Sequence, residues 1–413
     1  MQRSIHFPTI LQLLISGFGL LIFGGSAAGL FVAGFMSLMG SGFVFIDVFP
    51  LFSMAWTATA VSILLLPALV LALMRLFGKE DRLPRIQNGL RLSSILMLAW
   101  PLLLLLGYYL TGIDELGIFL VPPIQILAIA IPLWWFFELG RRGLQGNHSQ
   151  RNWGVLSAAL VVTPTVIILI ELALLILAGI AAVVWLSTQP QLLEEINRTA
   201  QRLMNSQLDP EATFRILRPY LQQPLVLYAI MAITAGIIPL IEEMFKPLAL
   251  WGLASLRFTP ANGFVAGLIC GAGFAFIESL GMLASGAVGL EWITSVTARL
   301  GTGLLHMVTV GIVGYGLASA WSRARYWHLA GIFFAAFMLH GIWNFFGVLV
   351  GVAPVLEGQV VPENLAFLSR FNVVAPAALV ILGIVLFLIL MNANRHLRSD
   401  QSQSVVEPIN ASF

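Results

Sequence analysis

Residues Pro224–Arg257 read PLVLYAIMAITAGIIPLIEEMFKPLALWGLASLR. Crossing a bilayer takes ~20 predominantly apolar residues. This run is long enough, although Glu242, Glu243 and Lys246 lie near its middle. Lipid leaves no water to satisfy backbone N–H and C=O groups, so such a run is helical. An acid at mid-membrane costs about 2.5–3.5 kcal/mol on insertion scales and persists where it is paired or where it acts. The stretch therefore places the chain in lipid and places chemistry inside the lipid-embedded part.

The composition continues outward from it. Of 413 residues, 59% are hydrophobic and 10% are charged, against roughly a quarter charged in soluble domains. No single water-facing fold hides that much apolar surface. The expected fold class is all-α, a polytopic transmembrane helical bundle of about ten spans with a four-helix catalytic core. The spans are expected near 10–36, 49–74, 92–110, 118–138, 154–187, 224–256, 263–288, 297–320, 327–350 and 372–391. The first apolar run exceeds the ~7–15-residue core of a signal peptide and reads as a span. A net charge of +2 is too small to imply nucleic acid as a partner; the expected partners are membrane lipid and a membrane-anchored protein or peptide. The single cysteine, Cys270, excludes an intramolecular disulfide framework and a cysteine-based metal site.

Orientation follows the Lys/Arg bias of short loops. Arg75, Lys79, Arg82, Arg85 and Arg91 share a side with Arg141, Arg142, Arg151, Arg257, Arg323, Arg325, Arg395 and Arg398 in a ten-span chain. The opposite loops carry Asp47, Asp114, Glu115, Glu291, Glu357 and Glu363. Both termini are expected in the cytoplasm. Four regions follow: 1–187 with five spans, an extracytoplasmic helical insert at 188–223, a catalytic core at 224–350, and 351–413 with an outer loop, the last span and a polar tail expected to lack structure after Arg398. In the insert, Leu192, Leu193, Ile196, Leu203 and Met204 recur at helical period. Asp209-Pro210-Glu211 then reads as a cap, a proline at the first helical position and a first-turn acid, opening a second helix to about Leu221.

Four consecutive spans each supply a mid-depth ionisable group. Glu242 and Lys246 are i,i+4 and share a helix face, which predicts that Lys246 neutralises Glu242 and leaves Glu243 as the principal base. Pro239 and Pro247 flank the motif and invite kinks. Glu278 sits in Gly271-Ala-Gly273-Phe274-Ala-Phe276-Ile-Glu278, where small residues allow a neighbouring helix close approach. His306 follows with Thr309 at i+3, and His340 with Asn344 at i+4. A lone intramembrane histidine is ordinarily a helix-to-helix hydrogen bonder. The coincidence with three glutamates is what points to hydrolysis. Glu171 also lies mid-span and is left without a role.

These residues, in this order, resemble the PrsW family of intramembrane proteases, related to the CAAX prenyl endopeptidases and bacteriocin-processing membrane proteins. The matching motifs are Glu242-Glu243-x-x-Lys246, Phe274-x-x-x-Glu278, His306 and His340-x-x-x-Asn344. Arg299, seven residues before His306, and the run from Thr309 to Gly316 also look like the family. The resemblance covers about 224–350. It implies hydrolysis of a peptide bond in or near a prokaryotic plasma membrane, in a regulator such as an anti-sigma factor. Glu242, Glu243, Glu278, His306 and His340 would be catalytic, supported by Lys246, Phe274, Arg299, Thr309 and Asn344.

Metal use stays open on the chemistry. His306, His340 and a carboxylate such as Glu278 would make a zinc (Zn2+) set with an open position, although no His-Glu-x-x-His occurs on one helix. In a metal-free scheme, Glu243 or Glu242 activates water, His306 or His340 assists proton transfer, and Asn344 steadies the oxyanion. A proton- or ion-coupled transporter would also use buried Glu and His, but predicts matching broken segments in two halves, and none is visible. A non-catalytic scaffold would not need both histidines and the glutamate pair.

Overall fold

The computed structural model describes residues 7–40, 47–79, 88–144, 149–205, 210–221, 223–253, 258–356 and 371–410. Its elements are helical: α1 Phe7–Leu38, α2 Val48–Leu76, α3 Gly89–Leu110, α4 Asp114–Gly140, α5 Ser149–Leu186, α6 Pro190–Asn205, α7 Pro210–Leu221 and α8 Pro224–Ala232. A π-turn at Ile233–Ile237 leads into α9 Ile238–Phe245 and α10 Leu248–Trp251. Then come α11 Pro260–Leu283, α12 Leu290–Arg323, α13 Tyr326–Leu356 and α14 Phe371–Asn410. Among the described residues, ten helical segments are long and apolar enough to cross a membrane, which is the polytopic all-α chain that the hydropathy predicts.

The sixth span and the tail differ locally from the expected pattern. The sixth span is interrupted by the π-turn, and α9 stops ahead of Pro247, which cannot donate to continue it. The tail expected to lack structure continues as helix from α14 to Asn410. The second insert helix does start at Pro210, whereas its expected cap, Asp209, lies outside the described residues. So do Arg82, Arg85, Arg257, Glu357 and Glu363.

The chain divides into two compact units. The first holds 1–165, 243–336 and 383–413; the second holds 166–242 and 337–382. In the first unit α11 and α12 are the most deeply buried helices. α11 starts on a standard signal: Thr259 accepts the Asn262 backbone N–H, and Pro260 follows at the first helical position. Val265, Cys270, Val310, Val313 and Leu317 build its core with Val155 and Ala159 of α5. The two helices meet along Gly263, Gly267 and Gly271. A Cβ at each would overlap a backbone carbonyl oxygen of α12, those of Gly314, Val310 and His306 respectively. Polar side chains replace missing backbone donors. Pro132 has no N–H to offer the Ala128 carbonyl, one turn back, and the Trp100 indole N–H donates to it at 2.9 Å.

In the second unit, Leu227 of α8, Leu349 of α13 and Ala375 of α14 pack with Met231, Phe345 and Phe346. α6 and α7 pair through the Tyr220 hydroxyl, 2.8 Å from Thr199 Oγ1, and α6 presents no buried residue. The adjacent carboxylates Glu242 and Glu243 fall on either side of the division.

Candidate active site

In the first unit, α9 and the two central helices bring together six of the residues singled out in the sequence. Lys246, just past the end of α9, puts Nζ 2.9 Å from Glu243 Oε1 and 2.8 Å from His306 Nδ1. His306 Nε2 lies 2.8 Å from Glu278 Oε2. Arg299 reaches the same carboxylate oxygen at 2.5 Å, and its Nε donates to Ser279 Oγ at 3.1 Å. Phe274 closes the group: its ring lies 4.8 Å beneath Lys246 Nζ and edge-on to His306 at 5.2 Å. The chain of contacts therefore runs Glu243, Lys246, His306, Glu278, Arg299, Ser279. Glu243, Lys246 and His306 are fully buried.

The donors assign the tautomer. An ammonium can only donate, so His306 Nδ1 accepts from Lys246, and Nε2–H donates to Glu278. His306 is thereby held in one ring orientation with its proton on Nε2, an assignment made from the hydrogen-bond network. Gly271 makes this alignment possible, because α11 must close onto the His306 backbone to present Glu278 to its ring. Thr309, also buried, turns its hydroxyl back to the His306 carbonyl at 3.4 Å.

The spacing suggested Glu242, at i,i+4, as the partner of Lys246; the structure shows an ion pair to Glu243 at i,i+3. Both separations put side chains on neighbouring parts of a helix surface. His306 lies where Lys246 must lean to reach it, and this selects Glu243.

In the second unit, His340 Nε2 lies 3.7 Å from Glu242 Oε2. Both side chains are nearly inaccessible. Asn344, one turn beyond His340, donates from Nδ2 to the backbone carbonyl of Thr234 at 2.9 Å. Glu171 is half-buried on the part of α5 that belongs to this unit. The sequence reading missed two participants. Ser279 supports Arg299, and the Thr234 carbonyl receives Asn344. Neither carries a signal of its own: one is an ordinary serine beside Glu278, the other a backbone atom.

The family profile described as PrsW family intramembrane metalloprotease matches residues 152–390. That is more than half of the chain, and it spans every residue named in both groups. No curated protein and no solved structure matches it.

Proposed function

The chain belongs to the PrsW family of intramembrane metalloproteases, and from that premise we propose that it cleaves a single-span membrane protein, with Glu242 as the group that activates water. By that membership, and by the ten apolar helices among its described residues, it is a multi-pass membrane peptidase. One observation carries the choice of base. Glu243 Oε1 is engaged by the buried ammonium of Lys246 at 2.9 Å, and breaking such a buried pair is costly. Glu242, on the helix that follows the turn held by Asn344, has His340 Nε2 3.7 Å from its Oε2.

The step is a hydrolysis. Glu242 takes a proton from water as the oxygen bonds to the scissile carbonyl carbon. It then returns the proton to the leaving nitrogen as the C–N bond breaks. His340, next to Glu242, steadies the carboxylate through both transfers. Glu278, already shared between Arg299 and His306, orients the His306 ring.

The donor chemistry fits a zinc-like ion. Glu242 and His340 offer one carboxylate and one imidazole, both buried and 3.7 Å apart, which are donor types that such ions take. A metal would be held by Glu242 and His340, while Glu278 serves to fix His306, whose two ring nitrogens are already engaged. When bound, the ion would polarise the carbonyl and acidify water.

The substrate is a membrane-anchored regulator of the anti-sigma type, cut in a prokaryotic plasma membrane, and residues 224–350 supply the catalytic machinery. Purified protein in lipid nanodiscs, given a panel of single-span peptides, tests this. Mass spectrometry should find a cut within or beside the span. Glu242→Gln should lower the rate by at least about a hundredfold, the scale of a lost general base, and a chelator should abolish turnover that zinc restores. Full activity in Glu242→Gln would overturn the assignment.

A further inference from the structure

Asn344 is the fourth residue of the motif opened by His340, and its side chain is already committed. Nδ2 donates to the Thr234 carbonyl at 2.9 Å. Thr234 lies inside the π-turn Ile233–Ile237, immediately before the helix that carries Glu242.

The register explains why that carbonyl needs a side-chain donor. The Ile238 N–H bonds back to the Ile233 carbonyl, five residues earlier. Continued by one residue, the same pattern assigns the Thr234 carbonyl to the N–H of residue 239. Residue 239 is proline and has none. The ordinary α-helical donor, Ile238 N–H, is spent on Ile233. In lipid no water takes over. Asn344 supplies the missing bond. Gly341 lets α13 come close enough for it: a Cβ there would stand 2.5 Å from the Ala235 carbonyl oxygen. The first unit uses the same device where Trp100 donates to the carbonyl that Pro132 leaves without a donor.

The turn determines where Glu242 points. A π-turn holds one more residue than the α-helix it interrupts, and one residue is about 100° of rotation and ~1.5 Å of rise. Reverting it would swing α9, and Glu242 with it, away from His340 Nε2 at 3.7 Å.

We propose that Asn344 is a positioning residue: its amide replaces the backbone donor that Pro239 removes, and so keeps the π-turn that aims Glu242 at His340. The consequence for catalysis rests on Glu242 being the base, whereas the clamp itself does not. A two-by-two set of full-length variants separates them: parent, Asn344→Leu, Pro239→Ala and the double variant, each measured for thermal unfolding and peptide cleavage. Leucine keeps the branched outline of the side chain and removes the donor. Pro239→Ala returns an N–H at position 239.

Asn344→Leu should lower Tm and slow cleavage at least about tenfold, the scale of leaving a buried carbonyl unsatisfied. In the Pro239→Ala background the same change should cost less than about threefold and little Tm, because the backbone serves Thr234 again. Should Asn344→Leu fail to fold, recovery of the folded chain in the double variant supports the clamp, and no recovery overturns it. An equal loss in both backgrounds, with Tm unchanged, overturns it in favour of a direct donor to the reacting atoms. The Tm cycle reads the clamp even if no peptide is cleaved, so the failure of the protease roles and of the clamp are told apart.

Discussion

At the scale of single residues, the sequence located the ionisable groups but not how they pair. Lys246 stands within one helical turn of both Glu242 and Glu243, about 40° round the helix from one and 60° from the other. Local spacing cannot choose between them. The choice is made by His306, sixty residues on, whose Nδ1 draws the ammonium to within 2.8 Å. Glu278 shows the same limit. Its depth in the span was legible, but its double engagement by Arg299 and His306 depends on two further turns of α12. The pairing makes a prediction. Lys246→Met strands a fully buried Glu243 and should cost about 3–5 kcal/mol, as breaking buried pairs does. Adding Glu243→Gln removes the stranded charge and should return a good part of the lost Tm, whereas adding Glu242→Gln should return much less. Thermal unfolding of the four variants in detergent checks it. Equal recovery from either glutamine would mean that Lys246 serves both carboxylates alike.

At the scale of helices, hydropathy reveals where spans lie, and composition reveals which faces are narrow, but not what those faces meet. Gly267, Gly271 and Gly273 read only as a small-residue surface, a common feature of membrane helices. Two of them prove to sit against the α12 backbone, with Gly271 against the carbonyl of His306 itself. The π-turn was not legible, because it is a register shift and leaves no compositional mark. Pro239 was, and the shift is built around it. Backbone cannot yield as a flexible side chain does, so Gly271→Ala must push α11 and α12 apart at His306. The Nε2–Glu278 contact of 2.8 Å then opens. Gly271→Ala should lower Tm by several degrees and reduce cleavage at least about tenfold, in line with overpacking costs of about 1–3 kcal/mol. Gly281→Ala, on the same helix with nothing within 4 Å of the added methyl, should match the parent. Parental behaviour in Gly271→Ala would mean that the crossing relaxes without disturbing the histidine.

At the scale of the whole chain, ten spans could be counted from apolar run length, yet the division into two compact units could not. Its boundaries fall inside α5, α9, α13 and α14, within helices and not in the polar loops between them. Packing partners set those boundaries, and a one-dimensional profile does not contain them. The span count nevertheless fixes a topology. Five spans precede the insert helix α6 and ten precede the end of α14, so the two places must lie on opposite sides if every candidate crosses. The Lys/Arg bias predicts that the C-terminal end is the cytoplasmic one. The chain suits a labelling test, because its one cysteine, Cys270, is buried among apolar side chains. Asn205→Cys, at the end of α6, and Ser399→Cys, near the end of α14, each add a single exposed thiol. On intact cells a membrane-impermeant maleimide should label the Asn205→Cys protein at once and the Ser399→Cys protein only after permeabilisation. The parent should stay unlabelled in both conditions. Labelling of both variants from outside would show that one candidate span does not cross, and labelling of Ser399→Cys alone would invert the chain and place the acidic loops inside.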